Sequence, residues 1–162
     1  MGINHQIKII NEELKKKKLK ISIAESCSGG LISYNLTKLP GSSKYFIMGV
    51  VCYSNESKIK FLKVKKETLL KYGAVSMEAC KQMCENLLKI SKSNIAVSIT
   101  GIAGPGGGTV KKPIGLVYIG IATKQTIKIN KFIYNKKLSR NNIQKETLKS
   151  SLKIINDHIA IL

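Results

Sequence analysis

Three short polar segments carry side chains able to do chemistry. They are Glu25-Ser26-Cys27-Ser28-Gly29-Gly30, Gly41-Ser42-Ser43, and the stretch Tyr53-Ser54-Asn55-Glu56-Ser57-Lys58. A serine hydroxyl attacks nothing until a base takes its proton. Lys58 can be that base if a partly dry site lowers its pKa, because desolvation disfavours the ammonium. A helix N-terminus nearby pushes the same way. The plainer expectation for one lysine in so lysine-rich a chain is a solvated surface charge. Cys27 is the stronger nucleophile intrinsically, yet nothing in the sequence aims it at a site, and a lone cysteine is commonly a buried core residue. A fourth stretch, Thr100-Gly-Ile-Ala-Gly-Pro-Gly-Gly-Gly-Thr109, holds five glycines and a proline in ten residues. Glycine reaches backbone angles that other residues avoid and leaves N–H groups unshielded. Close approach to a phosphate or a developing oxyanion is the functional reading. A flexible connection between two strands is the plainer one. The loop matches neither common nucleotide-binding glycine motif.

Other chemistries are disfavoured by composition. The two histidines, His5 and His158, lie near opposite ends of the chain and form no H-x-x-x-H or Cys/His cluster, so neither a zinc site nor a histidine-based triad is suggested. Nine carboxylates in 162 residues do not suggest a paired-carboxylate glycosidase. The net charge of +19 would point to nucleic acid, but 27 of the 28 basic residues are Lys and only Arg140 is Arg. Base reading and bidentate phosphate contacts favour arginine. The lysines run along the whole chain, so the expectation is a solvated surface with weak, salt-sensitive affinity for polyanions and no specific nucleic-acid partner. No apolar run approaches the roughly 20 residues of a membrane span, and residues 1–10 lack a signal-peptide core. A cytoplasmic protein with reduced Cys27, Cys52, Cys80 and Cys84 is expected.

The elements that must position these groups read clearly. Ile7 to Leu19 is amphipathic and helical, with Lys17 lending its stem to the apolar face. Lys20 to Ala24 is a buried strand, followed at once by the Ser26 turn and a helix from Leu31 to Leu36. That arrangement sets the turn at the strand's carboxyl end, beneath helix N–H groups. Tyr45 to Tyr53 is apolar on both faces and is expected at the centre of the sheet. Ser54 or Asn55 caps a short helix to Leu62. Lys65 to Lys71 is helical, and Ser76 opens a longer helix whose Cys80 and Cys84 belong to its core face. Ile95 to Ile99 leads into the glycine loop. Gly115 to Ala122 and Thr126 to Tyr134 form a hairpin, and Ser139 caps the last helix. The order predicts an α/β fold: a single three-layer α/β/α domain over residues 1–162, with a mixed β-sheet.

Six segments taken together resemble one known family. Ala24-Glu-Ser-Cys-Ser-Gly-Gly30, Pro40-Gly-Ser-Ser43, Tyr53-Ser-Asn-Glu-Ser-Lys58, Tyr72-Gly-Ala-Val-Ser76, Thr100 to Gly108 and Lys112-Pro-Ile-Gly115 occur in the order found in the CinA C-terminal family of competence/damage-inducible proteins. The likeness covers about residues 5 to 160. It resembles the stand-alone form, without the molybdopterin-binding-like domain that precedes it in full-length CinA.

The resemblance implies a nicotinamide-nucleotide amidase. Such an enzyme hydrolyses the carboxamide of nicotinamide mononucleotide (NMN) to nicotinate mononucleotide and ammonia in pyridine nucleotide salvage. It implies a Ser/Lys mechanism with no metal and no cofactor, and a homo-oligomer. Carried onto this chain, Lys58 is the general base and Ser26 the nucleophile, with Ser43 as the second choice or a proton relay. Glu25, Cys27, Ser28, Gly29, Ser42, Tyr53, Asn55, Thr100, Gly101, Gly104, Gly106 and Gly107 are expected around the substrate. The alternative is a non-catalytic nucleotide-binding or competence-linked interaction domain of the same fold. The chain departs from the family at Val110-Lys111, where acidic residues are common. It departs again at Leu138-Ser139-Arg140, in place of a Gly-Asp-Arg turn, and at Gln144, in place of an arginine.

Overall fold

The computed structural model describes residues 2–162. In chain order the elements are α1 (Ile3–Lys16), β1 (Ile21–Glu25), α2 (Leu31–Thr37), a short 3-10 turn (Ser42–Lys44), β2 (Phe46–Val51), α3 (Asn55–Leu62), α4 (Lys66–Tyr72), α5 (Met77–Ser91), β3 (Ile95–Gly101), β4 (Leu116–Ala122), β5 (Ile127–Ile133) and α6 (Arg140–Ala160). The strands form one sheet in the order β2-β1-β3-β4-β5. β1 runs parallel to β2 and β3, whereas β4 is antiparallel to β3 and β5. The mixed α/β sheet expected from the sequence is present.

Strand alternation divides the core into two layers. Ile21, Ile23, Ile95, Val97, Ile99, Val117, Ile119 and Ile121 face α1, α2 and α6. The opposite face carries small residues, Ala24, Ala96 and Ala122, beneath α3, α4 and α5. Their size lets α5 lie close on the sheet. The Cys80 thiol sits 3.3 Å from the Ser98 hydroxyl, and Cys84 Sγ donates to the Ala96 carbonyl at 3.2 Å. Both cysteines are core residues, as their helical spacing predicts. Lys17 also fits its reading: its amine donates to the Ile159 carbonyl at 2.7 Å, near the end of α6.

One expectation is overturned. β2 is not central but the edge of the sheet, and Ile47, Gly49 and Val51 on its outward face are exposed. Apolar character on both sides of a strand reports which residues are there. It does not report which neighbours cover them. The caps follow the sequence. The Ser54, Ser76 and Ser139 side chains accept from Ser57, Ala79 and Asn142 amides and open α3, α5 and α6.

The parallel order brings the site segments to one end of the sheet. β1 delivers the Ser26 turn, β2 delivers Tyr53 and α3, and β3 delivers the glycine loop at their carboxyl ends. β5 returns the chain to that end, where α6 begins. The glycine loop is clamped at its base. Ile102 donates to Leu116 and Gly115 to Ile102, both at 2.8 Å, and Tyr134 donates to Gly115 at 2.9 Å. Gly115 has φ +92°, and a Cβ there would stand 2.3 Å from the Tyr134 carbonyl oxygen. Gly115→Ala is therefore expected to lower unfolding free energy by about 2 kcal/mol or more, since a left-handed angle and a backbone clash add. Urea denaturation reads this as a lower midpoint at unchanged slope.

Candidate active site

β1 sets the site by alternation. Residues 21 and 23 face the α2/α6 side, so Glu25 and Cys27 follow them, while Ser26 falls on the α3 side with Ala24. Glu25 is fully buried, and its carboxylate accepts five hydrogen bonds. One oxygen takes the Ser28 hydroxyl at 2.7 Å and the Gly30 and Ile32 amides at 3.0 and 3.2 Å. The other takes the Ser33 amide at 2.8 Å and its hydroxyl at 2.7 Å. A carboxylate at the opening turn of α2 thus satisfies amides that the helix cannot pair itself.

On the other side of the chain, α3 turns Lys58 and Leu62 inward. Lys58 is 1% exposed and is the only buried lysine of the 27. Its amine lies 2.8 Å from the Cys52 carbonyl, 3.1 Å from the Tyr53 carbonyl and 3.0 Å from Ser26 Oγ. No carboxylate pairs with it among the described residues. Burial pushes its pKa below the ordinary lysine value. A neutral amine has two N–H donors and one lone pair. Two carbonyls and one hydroxyl are the partners that suit it. With the two carbonyls taking its hydrogens, a neutral amine would turn its lone pair to Ser26 Oγ. Ser26 itself is buried at 8% exposure, against 1% for Lys58.

The remaining side wall comes from α6. The Arg140 guanidinium donates to the Gly104 carbonyl at 2.8 Å and to the Tyr53 hydroxyl. One turn on, Gln144 Nε2 donates to the Cys27 carbonyl at 2.9 Å. Burial raises the Cys27 thiol to about 12, and the charges of Arg140 and Lys58 pull against that rise without reversing it. Cys27 is packed in the core, where burial disfavours its thiolate.

The expected site residues therefore divide. Ser26, Lys58 and Tyr53 come together, with Asn55 exposed beside them at the start of α3. Gly104 joins them through Arg140, and Gly106 and Gly107 stand exposed at the tip of the loop. Gly29 is exposed on the Ser26 turn, 3.9 Å from Gln144 by its would-be Cβ. Ser42 and Ser43 do not join. They precede β2, at the opposite end of the sheet from Ser26, with roughly 16 Å of strand between. Glu25 and Ser28 are taken up by each other, and Cys27 by the core, so none of these three side chains is open to a substrate. Thr100 is 1% exposed and spends its hydroxyl on the Ala74 carbonyl at 2.8 Å. Gly101 answers a packing need: a Cβ would meet the Leu116 carbonyl at 2.7 Å. Arg140 and Gln144 were not among the expected site residues. Arg140 stood out as the single arginine and as the last residue of the turn that replaces Gly-Asp-Arg, but its reach across 87 residues to Tyr53 is invisible to local pattern.

A model of the CinA C-terminal domain matches residues 4–159. The chain belongs to that family. A CinA-like protein of Endomicrobium trichonymphae is 52% identical over 142 residues, which are 88% of this chain and 33% of that protein. A CinA-like protein of Fusobacterium nucleatum is 52% identical over 139 residues, 86% of this chain and 33% of that protein. The chain thus spans about a third of the length of these CinA-like relatives. The crystallised competence/damage inducible protein CihA of Agrobacterium tumefaciens is 37% identical at TM-score 0.92, covering 96% of this chain and 94% of that one. A CinA superfamily protein of Klebsiella pneumoniae shares the fold at TM-score 0.94 with 23% identity. No helix among the described residues is long and apolar enough to cross a membrane.

Two outcomes test this geometry. Glu25→Ala strands five donors, two of them serine hydroxyls, and is expected to cost on the order of 3 kcal/mol or more of stability; a loss under 1 kcal/mol in chemical denaturation would mean the turn does not depend on the carboxylate. For Lys58 the test is pH. Below its depressed folded-state pKa the amine carries its full burial penalty. As pH rises from there toward about 10.5, the unfolded chain binds more protons than the native one, so stability rises. The unfolding free energy of the wild type relative to Lys58→Met should climb across that window, by at most about 1.4 kcal/mol per pH unit. A difference that stays flat with pH would show an amine of ordinary basicity.

Proposed function

We propose that this domain is a serine amidohydrolase that hydrolyses the carboxamide of nicotinamide mononucleotide, releasing ammonia and nicotinate mononucleotide. The observation that carries the reading is the buried, carboxylate-free Lys58 amine 3.0 Å from Ser26 Oγ, held by two backbone carbonyls. Family membership supports the choice of substrate.

In this mechanism the neutral Lys58 amine takes the Ser26 hydroxyl proton as Oγ bonds to the amide carbon. The carbonyl electron pair moves onto oxygen. The amide groups of Cys27 and Ser28, the next two in the chain after the attacking serine, have no backbone acceptor among the described residues, which suits them to hold that charge. Collapse breaks the C–N bond, and the Lys58 ammonium gives its proton to the leaving ammonia. Water then adds to the Ser26 ester, passing a proton to Lys58. The ester bond breaks, and the proton returns to Ser26 Oγ. Both half-reactions use one amine, at one place, as base and then as acid. The exposed Tyr53 hydroxyl, Asn55 and the tip glycines Gly106 and Gly107 orient the nucleotide.

The test is ammonia release from NMN by the purified protein. Ser26→Ala and Lys58→Arg are each expected to lose on the order of 10³-fold or more in kcat, the latter because a guanidinium stays protonated. Cys27→Ala should keep turnover within about threefold, as a deeply buried protonated thiol contributes no proton transfer. kcat/KM should rise with pH to a plateau through a pKa below that of free lysine. A folded protein that releases no ammonia would favour the non-catalytic nucleotide-binding reading, whereas a Lys58→Arg variant with near-native turnover would remove Lys58 as the base.

A further inference from the structure

We propose that Gln144 positions an oxyanion donor: by holding the Cys27 carbonyl, it keeps the Ser28 N–H aimed at the oxygen of the reacting amide. The inference rests on the amidase reading of Ser26 and Lys58, and it goes further by giving a positioning residue to the charge that forms on the substrate. Each buried backbone N–H and C=O needs a partner, so the turn after β1 can be counted group by group. The Ser26, Cys27 and Ser28 carbonyls accept from the Gly29 amide at 3.0 Å, Gln144 Nε2 at 2.9 Å and the Leu31 amide at 3.1 Å. The Gly30 amide donates to the Glu25 carboxylate at 3.0 Å. Of the five amides from Cys27 to Leu31, only those of Cys27 and Ser28 have no backbone acceptor among the described residues.

Residues 26–29 form a turn closed by the Gly29-to-Ser26 bond, and Cys27–Ser28 is its central peptide. The closing bond does not fix that peptide. Type I and type II turns share the bond and differ by a half-turn of the central peptide, which exchanges the faces on which its C=O and N–H stand. Ser28 does not have the positive φ of the flipped form. The central peptide is held from outside the turn by one group, the amide of Gln144, 117 residues further on. A trans peptide is planar, with its C=O and N–H pointing in opposite directions. A carbonyl held toward α6 therefore turns the Ser28 N–H away from α6. α6 packs on the Ile21 and Ile23 side of β1, and Ser26 falls on the other side with Ala24. The Ser28 hydroxyl is already spent on Glu25 at 2.7 Å, which leaves the amide as its free donor. Gln144 supplies a donor without charge, so the clamp holds at every pH at which the protein is folded.

The experiment reads the bond to the substrate oxygen directly. Turnover is measured on nicotinamide mononucleotide and on its thioamide analogue, in which sulfur replaces that oxygen. The proteins are wild type, Gln144→Met, Gln144→Glu, Gln144→Arg and the exposed control Lys145→Gln. Sulfur is a weak acceptor, so an aimed donor favours the amide over the thioamide. Gln144→Met keeps the length and removes the donor, and Gln144→Glu keeps the shape and offers only acceptors. Both are expected to lose about 10- to 100-fold in kcat on the amide, less than the roughly 10²- to 10³-fold of deleting an oxyanion donor outright. KM should stay within about threefold, and the pH profile set by Lys58 should not move. The amide-to-thioamide ratio should fall by the same factor as kcat, which a merely loosened turn would not produce. Gln144→Arg restores a donor and should keep turnover within about threefold of wild type, and Lys145→Gln should match it. An unchanged kcat in Gln144→Met, or a loss of kcat at constant amide-to-thioamide ratio, would overturn the proposal and leave Gln144 as a strap on the turn. If Gln144→Met does not fold, Gln144→Glu decides by the same two readings. A wild type that turns over neither substrate is treated with a fluorophosphonate, whose phosphorus bonds to Ser26 Oγ as fluoride leaves and the hydroxyl proton passes to Lys58. Mass spectrometry then follows the labelling. Labelling slowed about 10- to 100-fold by Gln144→Met would keep the aimed donor and remove the nicotinamide nucleotide as substrate. Labelling at the wild-type rate would overturn the aimed donor, and a wild type that takes no label would remove both readings.

Discussion

Everything at the carboxyl end of this sheet is arranged around an amine that water does not reach. Lys58 is buried without a carboxylate, so nothing nearby pays the electrostatic cost of its charge, and its surroundings suit the neutral form. The Cys52 and Tyr53 carbonyls and the Ser26 hydroxyl are its three partners. This arrangement needs β2 to end at Val51 and α3 to begin at Asn55, with three residues between. Ser54 caps that helix and so sets which residue of its first turns points inward.

The second requirement is that Ser26 stay in place, and Glu25 meets it. A residue one step earlier in the chain faces the opposite layer, where five donors close on its carboxylate. The two sides of β1 thus do different work. Glu25 fixes the turn from the α2 side, and Ser26 presents its oxygen on the α3 side. Gln144 holds the same turn from above through the Cys27 carbonyl. The buried carboxylate has both oxygens taken by donors of the turn and of α2, and the buried amine meets Ser26 from the other layer. That explains how a buried carboxylate and a buried amine sit on neighbouring elements without forming an ion pair.

The high net charge has little to do with this site. Of 27 lysines, 26 lie partly or fully at the surface, and only Lys58 is buried. The single arginine lies at the site's rim and bridges the glycine loop and Tyr53. Position, not abundance, separates Lys58 and Arg140 from the lysines that keep the surface solvated.

Much was legible in the sequence by itself. Helix caps, core faces and the strand-turn-helix at Ser26 follow from short-range periodicity and serine chemistry, and these survive in the structure. Six segments in order identify the family, and the pairing of Ser26 with Lys58 follows from that likeness. Tertiary structure decided what depends on neighbours distant in sequence. The apolar β2 became an edge strand because strand order, not strand composition, sets what covers a face. Ser43 fell at the far end of the sheet because its turn precedes β2, whereas that of Ser26 follows β1. Glu25, Ser28 and Thr100 looked like site residues by adjacency, yet their polar atoms are consumed by partners that only folding brings near. Arg140 joined the site because β5 returns the chain to the same sheet end as Tyr53, 87 residues earlier. A local pattern can name a side chain's chemistry, but its partners are fixed by how the chain crosses the sheet.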